Sequence, residues 1–210
     1  MQTIEERVSP SHAALLVIDM ENDFCHSEGA MAKNGANVSS GQAIVPALRE
    51  LIAEGRAAGL PIVFIRMVQN QWTQSEARQA RRREGAPPSC QEGTWGVDWY
   101  SDLVPAPGDL VVNKHRFNAF LGTDLDLLLK ARGIKALICT GTATDVCVAS
   151  TAREAAMRDY ETIIPEDCSA SSRPEMHRAA LTNFAQFFGM VTTSDEIIQA
   201  WSKVRSGVAV

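Results

Sequence analysis

The fold of this chain is decided by one stretch, Leu137-Ile-Cys-Thr-Gly-Thr-Ala-Thr-Asp-Val-Cys-Val-Ala-Ser-Thr-Ala-Arg-Glu-Ala-Ala156. The stretch begins apolar and β-like, breaks at Gly141, and continues with a composition typical of a helix. Cys147 falls in the first turn of the predicted helix. Strand–turn–helix junctions at the carboxyl end of a parallel sheet are where α/β folds place ligands. Because helix N-termini have unpaired N–H groups and a positive dipole, we expect the pKa of Cys147 to lie below its ordinary value of about 8.5.

Outward from this stretch, short apolar runs alternate with helical segments along the whole chain. Strands are predicted at residues 13–18, 62–65, 109–112, 134–140, 161–165 and 190–192. Helices are predicted between them, with Gly59, Gly133 and Gly189 at their C-terminal ends. Continuous apolar strands separated by helices are typical of a parallel sheet that is covered on both faces. We therefore predict a single α/β domain over residues 1–210, a three-layer α/β/α sandwich with a mostly parallel six-stranded sheet.

Two segments lack this alternation. Residues 20–40 are predicted to be a loop because they carry Asn, Gly and Ser. Residues 67–108 are irregular, with a short helix predicted near 74–83. Long loops are uncommon unless they are functional, so we interpret 67–108 as an active-site or interface excursion. It holds an arginine cluster that we interpret as a solvated face or a subunit contact, with binding of substrate charge as the alternative: Arg78, Arg81, Arg82 and Arg83.

The composition argues against several classes of function. The net charge of -5 and the pI near 5.4 disfavour nucleic acid or an anionic membrane as a partner. No apolar run approaches the ~20 residues of a membrane span. No GxGxxG motif follows the first strand and no GxxxxGK[ST] motif is present, so a dinucleotide enzyme or a phosphate-loop NTPase is disfavoured. The five cysteines form no CxxC pair and the chain starts with polar residues, which favours a reduced, cytoplasmic protein.

Three polar residues follow predicted strands: Asp19, Lys114 and Cys147. Because the carboxyl ends of parallel strands meet at one edge of a sheet, we expect these side chains to approach each other. A cysteine nucleophile needs a proton acceptor and donors for an oxyanion. Histidine is the usual acceptor, and His26 and His115 flank the site as alternatives to Asp19. The remaining cysteines are interpreted as buried apolar residues: Cys25, Cys90, Cys139 and Cys168.

Three motifs in this order resemble the isochorismatase-like cysteine hydrolase superfamily: Leu16-Val-Ile-Asp-Met-Glu-Asn-Asp-Phe24, Asn113-Lys-His-Arg-Phe-Asn-Ala-Phe120 and Gly141-Thr-Ala-Thr-Asp-Val-Cys-Val148. The likeness covers nearly the whole chain and implies the strand order 3-2-1-4-5-6. It implies a triad in which Cys147 is the nucleophile, Asp19 the general base and acid, and Lys114 the cation that orients Asp19. It further implies a cis peptide bond between Thr142 and Ala143, and an oxyanion hole formed by the N–H groups of Ala143 and Cys147.

Within the superfamily, the chain is most similar to the ureide-cleaving members, namely ureidoacrylate amidohydrolase, biuret hydrolase and N-carbamoylsarcosine amidase. This resemblance rests on Asn70-Gln-Trp72, Gly93-Thr-Trp95, Lys114-x-Arg116-x-x-Ala119-Phe120 and Asn183-x-x-Gln186-x-Phe-Gly189. It implies that Phe24 walls the pocket and that Asn70, Trp72 and Gln186 contact the ureide. Core packing is the alternative for Phe24 and Trp72, and a solvated surface is the alternative for Asn70 and Gln186. Arg116 is a candidate for a substrate carboxylate or for a structural ion pair.

The resemblance therefore implies a metal-independent cysteine amidohydrolase that cleaves a small urea-like amide through a thioester. The Asp-x-His metal motif of nicotinamidases is missing from Arg66-Met-Val-Gln-Asn-Gln-Trp72, so neither a metal ion nor another cofactor is expected. The alternatives are a nicotinamidase-like or other small-amide hydrolase of the superfamily, and a non-catalytic binding protein on the same fold. The expected partners are a small-molecule amide and further copies of this chain, in a dimer or a tetramer.

Overall fold

The computed structural model describes residues 3–80 and 84–205 and places a parallel sheet at the centre of the chain. Its strands are β1 (Ala13–Ile18), β2 (Ile62–Met67), β3 (Leu110–Lys114), β4 (Ala136–Thr142), β5 (Glu161–Pro165), β6 (Ser169–Ala170) and β7 (Met190–Thr192). The order is β3-β2-β1-β4-β5-β7, and β6 pairs with the end of β4. The predicted fold and the order of the six long strands are confirmed. The two-residue strand β6 was not predicted, because so short a segment has no periodicity.

Helices cover both faces of the sheet. They are α1 (Ile4–Arg7), α2 (Asn22–Cys25), α3 (Ala30–Lys33), α4 (Ser39–Ala43), α5 (Val45–Ala57), α6 (Glu76–Gln79), α7 (Leu125–Ala131), α8 (Ala149–Met157), α9 (Pro174–Phe187) and α10 (Ser194–Arg205). Within the described ranges, none of them is long and apolar enough to cross a membrane. The prediction of a loop at 20–40 was wrong, because α2, α3 and the start of α4 lie there. Helices of about one turn are too short to show an apolar repeat.

The strand side chains alternate between two cores. In β1, Leu16 and Ile18 belong to one core and Leu15 and Val17 to the other, and all four are fully buried. Residues of α7, α8 and α9 complete the first core, and residues of α5 and α10, including the fully buried Trp201, complete the second. The continuous apolar run of β1 is therefore the result of burial on both faces of a parallel sheet.

The carboxyl ends of β1 and β4 lie in close contact at Gly141. Ile18 of β1 pairs with Gly141 of β4 in the parallel ladder. The φ angle of Gly141 is +104°, and a Cβ atom at this position would collide with the carbonyl oxygen of Ile18. Only glycine adopts this φ angle without strain and also lacks the Cβ atom that would collide. The break in the apolar run is thus the place where the two strand ends meet, directly ahead of the turn that carries Cys147.

The excursion at 67–108 folds over the carboxyl edge of the sheet and is attached there by Asp23. Its Oδ1 accepts the N–H of Ala30 at 2.9 Å, and its Oδ2 accepts the N–H of Cys90 at 2.6 Å. The helix predicted near 74–83 is shorter in the structure, where α6 covers Glu76–Gln79. Residues 81–83 of the predicted helix lie outside the described residues.

Candidate active site

The structure brings Asp19, Lys114 and Cys147 together at the carboxyl edge of the sheet. Asp19 follows β1, Lys114 is the last residue of β3, and Cys147 lies in the turn after β4. The Nζ atom of Lys114 is 2.8 Å from Oδ2 of Asp19, and both side chains are fully buried. The side chain of Cys147 interacts with those of both Asp19 and Lys114. These three groups form one contact cluster, and their catalytic roles stay a prediction.

Backbone contacts hold Asp19 between the ends of its neighbouring strands. Its N–H donates to the carbonyl oxygen of Ile65 in β2 at 2.8 Å, and its own carbonyl oxygen accepts from Oγ1 of Thr142 in β4 at 3.0 Å. Its φ angle of +54° is in the left-handed region, which costs a non-glycine residue about 1–2 kcal/mol. Strained backbone of this kind concentrates at functional sites. The surrounding strands therefore enforce the position of this carboxyl group.

The pKa values of the three groups depend on burial and on their mutual charges. Burial raises the pKa of Asp19, and the charge of Lys114 opposes this rise. Burial by itself lowers the pKa of Lys114, but its acidic neighbours, Asp19 first and then Glu21, help to raise it, and this pKa lies above its ordinary value. The ion pair at 2.8 Å favours the charged forms of both groups.

The prediction of a lowered pKa for Cys147 was wrong. The residue does lie in a first helical turn, the π-helical segment Thr144–Val148 ahead of α8. Burial, and then the charge of Asp19, nevertheless raise the pKa of its thiol well above the ordinary value, because Lys114 compensates only in part. The side chain is only 3% exposed. The resting thiol is therefore protonated, and a neighbouring base must remove this proton when the sulfur attacks.

A second buried carboxyl group, Glu21, lies beside this cluster. Its Oε1 accepts the N–H of Met67 at 2.6 Å, while its Oε2 has no hydrogen-bond partner among the described residues. Burial, and then the charge of Asp19, raise the pKa of Glu21 well above its ordinary value. Sequence reasoning missed this residue. The available signal was an acidic residue two positions after Asp19, at the end of a fully apolar strand.

A cavity of about 400 Å³ opens in front of Cys147, a volume in the usual range of small-molecule sites. The apolar part of its wall comprises Phe24, Met31, Ala36, Val38, Met67, Phe117, Val146 and Ala170. Its polar side chains are Asn37, Arg78, Ser89, Thr142, Asp145, Ser172 and Arg173. An apolar wall with a few polar groups next to a nucleophile is typical of a site that binds a small organic molecule.

The two residues predicted to form the oxyanion hole, Ala143 and Cys147, both line this cavity. The peptide bond between Thr142 and Ala143 is cis. The carbonyl oxygen of Ala143 accepts the N–H groups of Val146 at 3.0 Å and Val148 at 3.1 Å, so it points into the helical turn. Donation from the N–H groups of Ala143 and Cys147 to an oxyanion stays a prediction.

Of the five predicted substrate contacts, the structure brings only Phe24 into the cavity wall. Asn70 closes a turn by accepting the N–H of Trp72 at 3.0 Å, and Trp72 is 86% exposed. Arg116 donates to two backbone carbonyl oxygens, and Gln186 is exposed on α9. None of these four side chains lines the described cavity. Contact between these four side chains and a substrate stays a prediction.

Three charged side chains line the cavity, Arg78, Asp145 and Arg173, and none of them is among the five substrate contacts predicted from the sequence. The sequence favours a solvated face or a subunit contact for the arginine cluster that includes Arg78, with binding of substrate charge as the alternative. In the structure Arg78 is half-buried and lines the cavity. The other arginines of that cluster, Arg81, Arg82 and Arg83, lie outside the described residues. Asp145 also lines the cavity, and its Oδ1 is buried without a hydrogen-bond partner among the described residues. Its position two residues before Cys147 was the only signal in the sequence.

The histidines left open as proton acceptors do not line the cavity. His115 contacts the carbonyl oxygen of Val68 through Nδ1 at 2.7 Å, and His26 packs edge-on against Trp95. The carboxyl group in contact with Cys147 is that of Asp19. Over residues 3–80 and 84–205, no group of three or more His, Cys, Asp or Glu is placed to hold a metal ion. Independence from a metal stays a prediction.

Curated proteins and solved structures resemble this chain over most of its length. It is 35% identical to ureidoacrylate amidohydrolase RutB of Enterobacter sp. (strain 638), over 92% of this chain and 91% of that protein. It is 33% identical to RutB of Methylobacterium radiotolerans, over 88% of this chain and 78% of that protein. A cysteine hydrolase from Pseudomonas syringae pv. phaseolicola superposes with a TM-score of 0.83 at 27% identity, covering 94% of this chain and 95% of the other.

N-carbamoylsarcosine amidase from Thermoplasma acidophilum superposes with a TM-score of 0.71 at 31% identity, covering 88% of this chain and 97% of that one. A family model described as the isochorismatase domain matches residues 13–196, which include β1 through β7 and all three residues of the contact cluster. By this match and by its relatives, the chain belongs to the isochorismatase family.

Proposed function

We propose that this protein is a metal-independent cysteine amidohydrolase that cleaves a C–N bond of a small urea-like amide through a thioester intermediate. The chain is a hydrolase of amide C–N bonds, like its relatives named amidohydrolase. The urea-like substrate, the metal independence and the thioester are proposed here. The proposed cysteine mechanism on a small amide is supported by the buried contact cluster of Asp19, Lys114 and Cys147, which lies at the wall of a cavity of about 400 Å³.

The cluster has the groups that acyl transfer requires. Asp19 takes the thiol proton of Cys147, and the sulfur attacks the carbonyl carbon of the amide. The oxyanion accepts the N–H groups of Ala143 and Cys147, each of which contributes about 3 kcal/mol in the transition state. Asp19 returns the proton to the leaving nitrogen, and an amine or ammonia departs. Water, deprotonated by Asp19, then hydrolyses the thioester and restores the thiol.

Lys114 favours the ionised form of Asp19 before this carboxylate takes the thiol proton, and again before it deprotonates water. A buried carboxylate without a counter-ion takes up a proton, because burial disfavours its charged form. The ammonium group at 2.8 Å offsets that cost. It also approaches the sulfur, so it stabilises the thiolate that forms as the proton leaves. The raised pKa of Cys147 then favours a route in which proton transfer and attack occur together in the presence of substrate.

The urea-like substrate class is proposed from the relatives. Ureidoacrylate amidohydrolase and N-carbamoylsarcosine amidase both carry ureide compounds in their names. A nicotinamidase-type activity is the second candidate, since nicotinamidase PncA from Bacillus subtilis superposes with a TM-score of 0.75 at 29% identity. Hydrolysis of a ureide and of nicotinamide would use the same contact cluster, so the residues of the cavity wall determine which of the two substrates binds.

The test is release of ammonia or amine from a panel of ureidoacrylate, biuret, N-carbamoylsarcosine, nicotinamide and simple amides, with and without a chelator. We expect turnover of at least one ureide that resists the chelator. Cys147→Ala should reduce it by about 10³-fold or more. Cys168→Ala is the matched control, because Cys168 is a buried thiol outside the cavity, and it should keep the activity.

Turnover that survives in Cys147→Ala would exclude this residue as nucleophile. Turnover of nicotinamide alone would replace the ureide by the second candidate, and loss of activity with the chelator would overturn metal independence. Trapping the acyl group on the protein by rapid acid quench, followed by peptide mass spectrometry, locates the thioester. An adduct on a peptide other than the one with Cys147 would contradict the mechanism.

Self-association into a dimer or a tetramer and a reducing, cytoplasmic location also belong to this proposal. The cysteines are all free, which suits a reducing compartment. Exposed apolar side chains on the excursion, including Trp72, suit a subunit contact. Analytical ultracentrifugation of the wild type and of Trp72→Ser tests the assembly, and a monomer in the wild type would contradict it.

A further inference from the structure

A histidine outside the cavity contacts the turn that carries the nucleophile. His177 lies near the start of α9, is half-buried and does not line the described cavity. Its Nδ1 atom is 2.9 Å from Oγ1 of Thr144, the first residue of the π-helical segment that contains Cys147. Thr144 is fully buried. A hydrogen bond between side chains therefore ties the turn of Cys147 to α9, which packs against it.

The direction of this hydrogen bond follows from its surroundings. Among the described residues, the hydroxyl of Thr144 has no other hydrogen-bond partner. Its hydrogen therefore goes to Nδ1 of His177, which places the ring proton on Nε2. Burial lowers the pKa of His177, the charges of Glu166 and Asp145 oppose this only in part, and the charge of Arg178 adds to it. The neutral ring, whose Nδ1 can accept, is therefore favoured at neutral pH.

Ala143 lies between two threonines whose hydroxyl groups are both anchored. On one side, Oγ1 of Thr142 donates to the carbonyl oxygen of Asp19 at 3.0 Å. On the other side, Thr144 is anchored by His177. Ala143 lines the cavity, and its carbonyl oxygen points into the helical turn. Because Ala143 joins the peptide groups of its two neighbours, the orientation of its own N–H group depends on both anchors.

We propose that His177 is a positioning residue for the oxyanion hole: by accepting the hydroxyl of Thr144, it holds the turn from Ala143 to Cys147 in the geometry that stabilises the transition state. This inference rests on the proposed function, in which the N–H groups of Ala143 and Cys147 receive the oxyanion. An oxyanion donor meets charge that develops only in the transition state, so its misplacement lowers kcat more than it weakens substrate binding.

Substitutions of His177 separate the acceptor atom from the space that the ring fills. His177→Leu removes the acceptor and keeps an apolar side chain of similar size. We expect kcat on the best substrate of the panel to fall by about 10-fold or more, while KM changes by less than about 3-fold. His177→Asn should restore most of kcat, because its Oδ1 can accept in the place of Nδ1.

His12→Leu is the matched control for these variants. The Nδ1 atom of His12 also contacts a hydroxyl group, that of Ser11 at 3.1 Å, but the residue lies just before β1, at the amino edge of the sheet. We expect this variant to keep the wild-type kcat. A wild-type kcat in His177→Leu, or an equal fall of kcat in His12→Leu, would overturn the proposal.

A double variant tests whether His177 acts through Thr144. If it does, His177→Leu, Thr144→Val and their combination should lose about the same factor in kcat. The combination buries no unpaired hydroxyl, so its Tm should recover relative to His177→Leu. Recovery of kcat together with Tm would show that the contact only stabilises the fold. Losses that multiply in the double variant would show that His177 does not act through Thr144. Either result overturns the positioning role.

Two reagents test the turn without the natural substrate. 4-Nitrophenyl acetate acylates the sulfur of Cys147 through a tetrahedral oxyanion: a C–S bond forms, the ester C–O bond breaks and 4-nitrophenolate leaves. Iodoacetamide alkylates the same sulfur without an oxyanion: a C–S bond forms and iodide leaves. In both reactions Asp19 takes the thiol proton. In His177→Leu we expect acylation to slow by about 10-fold or more and alkylation to stay within about 2-fold of wild type. Equal falls in the two rates would overturn the proposal.

Cys147→Ala separates this inference from the proposed function. Peptide mass spectrometry locates both labels, and Cys147→Ala is the blank. Acylation of Cys147 in the wild type that continues unchanged in His177→Leu would overturn the positioning role and keep the proposed function. Absence of both acylation and amide turnover in the wild type would overturn the proposed function, and this inference with it, because the turn would then have no oxyanion to hold.

Discussion

The Nζ atom of Lys114 lies 2.8 Å from Oδ2 of Asp19, although Lys114 ends β3, Asp19 follows β1, and these strands are not neighbours. β2 lies between them and ends at Met67, which pairs with Lys114 in the ladder. Lys114 is the last residue of β3 and turns its side chain across the end of β2, where its Nζ also donates to the carbonyl oxygen of Arg116 at 3.2 Å. A long, flexible lysine side chain can bridge this gap, and a shorter cation cannot.

The first prediction concerns the stability of this pair. Lys114→Met leaves the carboxylate of Asp19 buried without a counter-ion, so we expect the free energy of unfolding to fall by about 3–5 kcal/mol. Urea denaturation measures it. The double variant Asp19→Asn with Lys114→Met should recover most of the loss, because no charge is then left buried. A Lys114→Met protein as stable as the wild type would contradict the buried ion pair.

The second prediction concerns the acidic limb of the pH–rate profile. Burial raises the pKa of Asp19, and the carboxylate is the active form. Activity should therefore be lost as the pH falls through an apparent pKa above the ordinary value of about 3.9. Since the pKa of Lys114 is raised as well, no loss from this group is expected below about pH 10.

Measurement of kcat/KM against pH checks this limb, and Glu21→Gln is its control. Glu21 is the other buried carboxyl group near the cluster. If Asp19 determines the limb, the limb persists in Glu21→Gln. Disappearance of the limb in that variant would assign it to Glu21 and contradict the role of Asp19 as base.

The third prediction concerns Glu21 and stability. Its pKa in the folded protein lies well above the unfolded value, so between these two values the folded state binds more protons than the unfolded state. The free energy of unfolding from this group therefore falls as pH rises through that window. Glu21→Gln removes the effect and keeps an oxygen that accepts the N–H of Met67. We expect the Tm of Glu21→Gln relative to wild type to increase from about pH 5 to about pH 8.

Thermal melts at several pH values measure this difference, and Glu28→Gln is the matched control because Glu28 is exposed. Its Tm relative to wild type should change little over the same range. A constant difference between Glu21→Gln and wild type at all pH values would show that Glu21 titrates alike in the folded and unfolded chain.

The fourth prediction concerns the contact between β1 and β4. Gly141→Ala places a Cβ against the carbonyl oxygen of Ile18, and Gly59→Ala adds one where no atom lies within 4 Å. Both positions have positive φ angles, +104° and +81°. Gly59→Ala should cost about 1–2 kcal/mol from backbone conformation alone, and Gly141→Ala more than about 3 kcal/mol. Equal costs in urea denaturation would show that the strand ends separate easily.

The strands were the most predictable part of the fold. The apolar runs at 13–18 and 161–165 match β1 and β5, because burial on both faces leaves a continuous signal in the residues themselves. The sequence predicts the third strand at 109–112, and in the structure it runs from Leu110 to Lys114. The last two residues of β3, Asn113 and Lys114, are polar. The apolar pattern in the sequence therefore ends before the hydrogen bonds of the strand do.

The members of the contact cluster were predictable, and their electrostatics were not. Asp19 directly follows an apolar run, Cys147 lies in the turn after another, and Lys114 stands in a motif of the superfamily. The expected pKa of Cys147 was wrong in direction because the helix dipole is a local effect. Burial by the excursion and the charge of Asp19 come from distant parts of the chain and outweigh it.

By itself, the sequence determined the parallel α/β fold, the order of the long strands and the residues at their carboxyl ends. The fold and the residues at the strand ends follow from hydrophobic periodicity within short stretches of chain. The strand order follows from the resemblance of three motifs to the superfamily. Only the tertiary structure decided which side chains face the cavity, since the excursion places Arg78 there while Asn70 and Trp72 lie elsewhere. Loop paths and pKa values are sums over contacts distant in sequence, and no local pattern of residues encodes them.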